Sequence, residues 1–151
     1  MANVIITGAS RGLGLGIAEK LVAAGFDVIA VARQRSDDLA ARMRQFEPVR
    51  EGALEFRRFD LGDISAIPDF VRDLRKEFGH FYGLVNNAAL GSSGVLATMP
   101  VARIEELVRV NMLSPLVLTR CVVRSMLAES RGRIVNIASM LGINGYQGVA
   151  A

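Results

Sequence analysis

The sequence predicts an α/β fold: a doubly wound parallel sheet of about five strands, with helices on both faces. Three observations predict it. Short apolar runs alternate with amphipathic stretches along the whole chain, as in consecutive strand–helix units. Runs such as Val28-Ile29-Ala30-Val31 are apolar at successive positions, which suits strands buried on both faces. A glycine-rich segment, Thr7-Gly8-Ala9-Ser10-Arg11-Gly12-Leu13-Gly14, separates the first such run from the first helical pattern.

Asn3–Thr7 reads as the first strand. In the segment after it, Gly8 permits a sharp turn, Gly12 permits close backbone approach, and Gly14 lets a helix pack on the sheet. Backbone N–H groups at a helix N-terminus point at an anion, and the helix dipole favours its charge. The turn is neither G-x-G-x-x-G, because position 17 is Ile17, nor a P-loop, because no lysine follows Gly12. The first helix runs from about Gly12 to Ala24, with Leu13, Ile17 and Leu21 on its apolar face and Gly25 ending it. Asp27–Ala32 is the second strand. Ser36 caps a helix through about Phe46, and Pro48 prevents its continuation. The third strand is about Leu54–Phe59. Asp63 or Ser65 opens a third helix, with Ile64, Ile67, Val71, Leu74 and Phe78 in one stripe and Gly79 at its end. Tyr82–Asn86 is the fourth strand, followed by a Gly91-Ser92-Ser93-Gly94 loop. A long helix spans about Val101 to Ala128, and Pro115 should kink or divide it. Gly132 precedes a fifth strand, Arg133–Ala138. No repeat or linker divides the chain, so residues 1–151 form one domain.

Composition narrows the function classes. Half of the 151 residues are apolar, enough for a sizeable core, yet no uninterrupted run approaches the ~18 apolar residues of a membrane span. The first strand starts too near Met1 for a signal peptide, so the expected location is cytoplasmic. The formal charge is +3, and the arginines are spread over helices and turns instead of forming a stripe; solvated faces explain them better than nucleic-acid binding. Cys121 and His80 are the only residues of their types, so neither a disulfide framework nor a metal site is expected.

In doubly wound sheets the ligand lies beyond the carboxyl ends of the strands. Thr7, Arg33, Asp60, Asn86, Asn87 and Ser139 all fall at or just after a predicted strand's carboxyl end. Turns favour polar residues anyway, which accounts for any one of them but fits less well an asparagine pair after a buried strand. Together these residues resemble the short-chain dehydrogenase/reductase family. TGASRGLG resembles its T-G-x-x-x-G-x-G cofactor motif, and Asp60-Leu61 the aspartate segment that meets the adenine. Asn86-Asn87-Ala88-Ala89 resembles its N-N-A-G stretch, with Ala89 where glycine is usual. Asn111 matches the asparagine of the catalytic tetrad, and Ile134–Ser139 the strand with the catalytic serine.

The resemblance implies a Rossmann-type sheet in the order 3-2-1-4-5, incomplete at its C-terminal side. It implies hydride transfer between a nicotinamide cofactor and a small carbonyl or alcohol substrate, nearest to 3-oxoacyl-carrier-protein reductases. Ser139 would bond the substrate oxygen, and Asn111 would hold a water of the proton relay. Gly8, Ser10, Arg11, Gly12, Leu13, Gly14, Arg33, Asp60, Leu61, Asn87 and Ala88 would bind the cofactor. Arg33 follows the second strand where an acidic residue would favour NAD(H), and Arg11 lies in the turn, so NADP(H) is favoured over NAD(H). The competing reading pairs Arg33 with Asp37 or Asp38. Met140, Leu141, Ile143 and Tyr146 suggest an apolar wall beside Ser139. The family's homodimer or homotetramer would form through the long helix.

One departure is large. The family's Y-x-x-x-K motif follows the serine by about a dozen residues, but Tyr146 is followed at that spacing by Ala150, and Tyr82 by Asn86. The chain is therefore expected to be inactive alone. It reads as the cofactor-binding part of an enzyme, as a nucleotide-binding module without catalysis, or as an inert remnant.

Overall fold

Successive side chains of a strand point to opposite faces, so a strand that is apolar throughout needs cover on both. The computed structural model describes residues 2–46, 52–145 and 148. Its five strands are β1 (Asn3–Thr7), β2 (Asp27–Ala32), β3 (Leu54–Arg58), β4 (Phe81–Asn86) and β5 (Arg133–Asn136). They form one sheet in the order β3-β2-β1-β4-β5, with every pairing parallel. The helices are α1 (Gly12–Ala23), α2 (Asp37–Phe46), α3 (Ile67–Phe78), α4 (Val101–Val108) and α5 (Ser114–Ala128).

Two cores result, one on each face. Val4, Ile6, Val28, Ala30 and Val85 pack with Leu15, Ala18 and Val22 of α1 and Leu39 of α2. Ile5, Ile29, Val31, Phe81 and Leu84 pack with Ile67, Val71 and Leu74 of α3 and Leu118, Val122 and Met126 of α5. Cys121 is half-buried at the margin of this second core.

The apolar face expected for α1 is displaced. Gly14, Leu15, Ala18 and Val22 are its buried residues, whereas Leu13 is 61% exposed and Ile17 and Leu21 lie at the core's margin. The cause is close packing. A Cβ at Gly14 would stand 2.4 Å from the Gly8 carbonyl oxygen and 2.5 Å from Asn87 Nδ2. The contact side is the alternative apolar stripe Leu15, Ala18 and Val22, selected over Leu13, Ile17 and Leu21 because it brings Gly14 against the turn.

The other helix ends follow their local chemistry. Ser36 Oγ accepts from the Leu39 N–H at 3.1 Å, capping α2. A 3₁₀ turn, Ile64–Ala66, leads into α3. Asp63 caps it by accepting from the Ala66 N–H at 3.2 Å, and Ser65 donates to Asp63, so Asp63 is the cap of the two candidates. Gly79 ends α3 with a φ of +80°, a conformation glycine adopts freely. Arg57 of β3 pairs with Glu77 of α3 and lies over the Phe78 ring, 4.8 Å from its centroid. The hydrogen bond from Arg57 holds the Glu77 carboxyl below the usual carboxylate range.

The long helix is divided rather than simply kinked. A π-helical turn, Arg109–Leu113, joins α4 to α5, and the Ser114 N–H donates to the Arg109 carbonyl. Pro115 follows within the first turn of α5, where its missing N–H costs least. By length and composition only, Val101–Ala128 is long and apolar enough to cross a membrane, with a mean hydropathy of 1.2 over its best window, a test that the core helix of a sheet domain also passes. Here Leu118, Val122 and Met126 of that helix pack on the sheet.

Strand limits differ by one or two residues from expectation: β3 ends at Arg58, β4 begins at Phe81 and β5 ends at Asn136. The Ile137 N–H still donates to the Asn86 carbonyl at 2.9 Å, so one ladder bond continues past β5. Val149–Ala151, Pro48 and Tyr146 lie outside the described residues.

Two glycines of α1 separate packing from propensity. Gly14→Ala should destabilise the domain by about 1–3 kcal/mol through overpacking. An added Cβ at Gly16 meets nothing within 4 Å, and Gly16→Ala should stabilise by roughly 0.5–1 kcal/mol. Urea unfolding of both variants checks this; equal effects would refute the packing argument.

Candidate functional site

Thr7, the last residue of β1, is buried, and its hydroxyl organises the carboxyl edge of the sheet. It accepts from the N–H groups of Asn87 and Ala88, both at 3.0 Å, and donates to the Val85 carbonyl at 3.4 Å. The Asn87 side-chain amide donates to the carbonyls of Thr7 at 3.0 Å and Gly8 at 3.3 Å. On the other side the Gly8 N–H donates to the Val31 carbonyl at 2.8 Å. The glycine turn is thus stitched to both strands beside β1.

The three glycines have separate tasks. Gly8 has a φ of +68°, and a Cβ there would lie 2.9 Å from Ala88 Cα. Gly14 is the contact of α1 with the turn. Gly12 has a φ of +56°, and a Cβ there would meet nothing within 4 Å. That open position lies at the start of α1, whose N-cap, Arg11, makes no side-chain capping bond and whose first turn has no acidic residue. The helix therefore presents donors that no side chain of its own cap satisfies, which fits an anionic group of a cofactor. Ser36 hydrogen-bonds the Ser10 carbonyl as well as capping α2. Its position suggested the cap; the second bond had no signal in the sequence.

Arg33 follows β2 and Asp60 follows β3, and the Phe59 N–H donates to the Ala32 carbonyl at 3.0 Å, keeping these two ends together. Arg11 and Arg33 are exposed. Among the described residues neither pairs with a carboxylate, Asp37 and Asp38 included. Asp60 Oδ1 accepts from the Gly62 N–H at 2.9 Å, leaving the other oxygen unengaged by that bond. Leu61 turns inward onto the second core, and Leu13 lies exposed beside Gly12 and Gly14.

Asn111 sits in the π-helical turn. Its Oδ1 accepts from the Leu90 N–H and its Nδ2 donates to the Leu90 carbonyl, both at 2.8 Å. This two-point clamp holds the segment after β4 against the helix and leaves one amide hydrogen and one lone pair on Asn111. Ser139 is exposed in extended backbone, and its Oγ accepts from the Leu141 N–H at 3.2 Å, so its O–H can still donate. Met140, Leu141 and Ile143 are exposed near it. Among the described residues no hydrogen bond joins Asn111 to Ser139. Asn86 bridges three elements: its Nδ2 donates to Asn136 Oδ1 at 2.8 Å and Thr119 Oγ1 at 3.1 Å.

This arrangement has many relatives. The family model of the short chain dehydrogenases matches residues 2–151. The chain belongs to that family. It is 34% identical over 143 residues to the ketoacyl reductase HetN of Nostoc sp., covering 95% of this chain and 49% of the relative. It is 33% identical over 146 residues to the 3-oxoacyl-[acyl-carrier-protein] reductase FabG of Salmonella typhimurium, covering 97% and 58% respectively. This short-chain dehydrogenase sequence thus spans about half the length of the curated relatives it matches. A metagenomic short-chain oxidoreductase solved with NADP superposes with a TM-score of 0.90 at 36% identity, covering 99% of this chain and 67% of that one. The 3-oxoacyl-[acyl-carrier protein] reductase of Brucella melitensis, solved with NAD, gives 0.85 at 28% identity, covering 98% and 59%. The doubly wound sheet is that of the family.

Thr7→Val tests the stitching. The substitution keeps the shape but leaves the Asn87 and Ala88 N–H groups without their acceptor. It should cost about 2 kcal/mol in chemical denaturation. An unchanged midpoint would show that the turn does not depend on this hydroxyl.

Proposed function

We propose that this chain is the cofactor-binding part of a reductase that moves a hydride between NADP(H) and a carbonyl or alcohol substrate, in the manner of a 3-oxoacyl reductase. The observation that carries the proposal is the open, positive-φ Gly12 at an uncapped helix start, with Arg11 at its cap and Arg33 directly after the neighbouring strand β2. Backbone N–H groups of the turn bind the pyrophosphate. The two guanidinium groups bind the 2′-phosphate with charge-assisted hydrogen bonds. Asp60 and Leu61 meet the adenine, and Ser10, Leu13, Asn87 and Ala88 line the path between.

When bound, the nicotinamide supplies hydride transfer. The chain's own part is polar positioning. Ser139 donates its O–H to the substrate oxygen and stabilises charge developing there. Asn111, with its remaining amide hydrogen and lone pair, holds a water that extends the proton path. The exposed Val101, Val108, Met112 and Leu116 support self-association through α4 and α5. A cytoplasmic location agrees with this reading.

A second reading, a nucleotide-binding module without turnover, is favoured by one observation. No Y-x-x-x-K motif occurs in the 151 residues: Asn86 follows Tyr82 and Ala150 follows Tyr146 at that spacing. The general acid–base of the family's chemistry is therefore not supplied from this stretch.

Calorimetric titration decides the cofactor. The chain should bind NADPH more tightly than NADH. Arg33→Asp should weaken NADPH by roughly tenfold to a hundredfold, the worth of a hydrogen bond to a charged group, and leave NADH little changed. Equal affinities for the unmutated chain would sink the preference. Reductase assays on mass-verified 151-residue protein should give no more than trace turnover. Robust activity would refute the dependence on a tyrosine outside this stretch.

A further inference from the structure

We propose that the carboxyl end of β4 and the start of α5 frame a binding site for a single water molecule, held between Asn86 Oδ1 and Ser114 Oγ. Both oxygens are buried, and neither has a hydrogen-bond partner among the described residues. Both residues line one cavity of about 10 Å³, together with Thr7, Leu61, Ala88 and Val110. A cavity of that size holds about one water.

The walls do not satisfy these atoms themselves. The Thr7 hydroxyl already accepts two backbone N–H bonds and donates to Val85. The Asn86 amide nitrogen already donates to Thr119 and Asn136. Exchanging the nitrogen and oxygen of that amide only makes its nitrogen the unpaired atom. A helical serine commonly bonds back to a carbonyl of the preceding turn. Ser114, directly after the π-helical turn, makes no such bond among the described residues. The polar groups facing the cavity are neutral, which suits water and not an ion. The water donates to Asn86 Oδ1 and accepts from the Ser114 O–H. It ties the end of β4 to the helix directly after the turn that carries Asn111, and it does so whatever the cofactor.

A crystal structure of the unmutated chain that resolves solvent should contain one ordered water within hydrogen-bond reach of both oxygens. A dry cavity, or a Ser114 hydroxyl bonded to a backbone carbonyl, overturns the proposal. Magnetic relaxation dispersion should count one fewer long-lived water in Ser114→Ala than in the unmutated chain; an equal count overturns it. The sign of the stability change is a further discriminator. Removing a bridged hydroxyl should lower the unfolding midpoint, whereas removing an unsatisfied one would raise it. A raised midpoint overturns the site. If Ser114→Ala does not fold, the structure of the unmutated chain still decides.

Discussion

The hydroxyl of Thr7 ties the carboxyl end of β1 to that of β4. It fixes the first residues after β4 by two N–H bonds, and Asn87 returns the constraint by holding the Thr7 and Gly8 carbonyls. The Gly8 carbonyl, so held, is the atom against which Gly14 packs. The start of α1 is therefore positioned by β4, an element more than seventy residues away in sequence, through bonds of |i−j| 79 to 81. If this set of bonds loosened, the glycine turn would lose its shape and α1 its seat. The donors at the helix start would then no longer converge. Burial supplies the drive for the sheet, but these few polar contacts set the geometry of its working edge.

That dependence explains how much was legible beforehand. The parallel sheet and the two covered faces follow from apolar runs and their alternation with helices, signals written within each element, whereas the strand order rested on the family resemblance. The capping serine of α2 and the glycine that ends α3 were equally local. The seat of α1 was not. Leu13, Ile17 and Leu21 have helical spacing, yet Gly14 and Ala18 face the sheet. Leu15, Ala18 and Val22 form a second stripe of helical spacing, and apolar periodicity alone does not tell that Gly14 must face the turn and so choose between the two. Thr7 and Asn86 were visible as polar residues at strand ends, but their partners lie on other elements, and no local pattern names them.

The second half of the site raises a different constraint. Pro115 cannot donate a backbone hydrogen bond, so the helix must break its regular ladder just before it. The sequence locates that break but not its form. The π-helical turn absorbs it and places Asn111 against Leu90, where the amide satisfies both polar groups of one backbone residue. A polar residue that seemed only to interrupt a helical stripe becomes the link between the segment after β4 and the helix. Ser139 depends on less. It follows the edge strand β5, which is exposed on both faces, and among the described residues its one side-chain bond is local.

Charge distinguishes the two ends of the sheet. At the amino end, an open cavity of about 330 Å³ is lined by Asp27, Glu55 and Glu77. Asp27 accepts from the Ala53 N–H, and Glu55 and Glu77 share Arg57, so those carboxylates are engaged within the fold. At the carboxyl end Arg11 and Arg33 have no carboxylate partner among the described residues, and the N-terminus of α1 adds its partial positive charge. Asp37, Asp38 and Asp60 at that end also lack an ion pair among the described residues, so the local cue for an anion is the start of α1 with Arg11 at its cap, not the net charge of the edge. A doubly wound sheet can in principle bind ligands at any crevice of suitable shape. Here the crevice that the glycine turn shapes is the one where the N-terminus of α1 meets guanidinium groups that, among the described residues, need break no ion pair to engage a ligand.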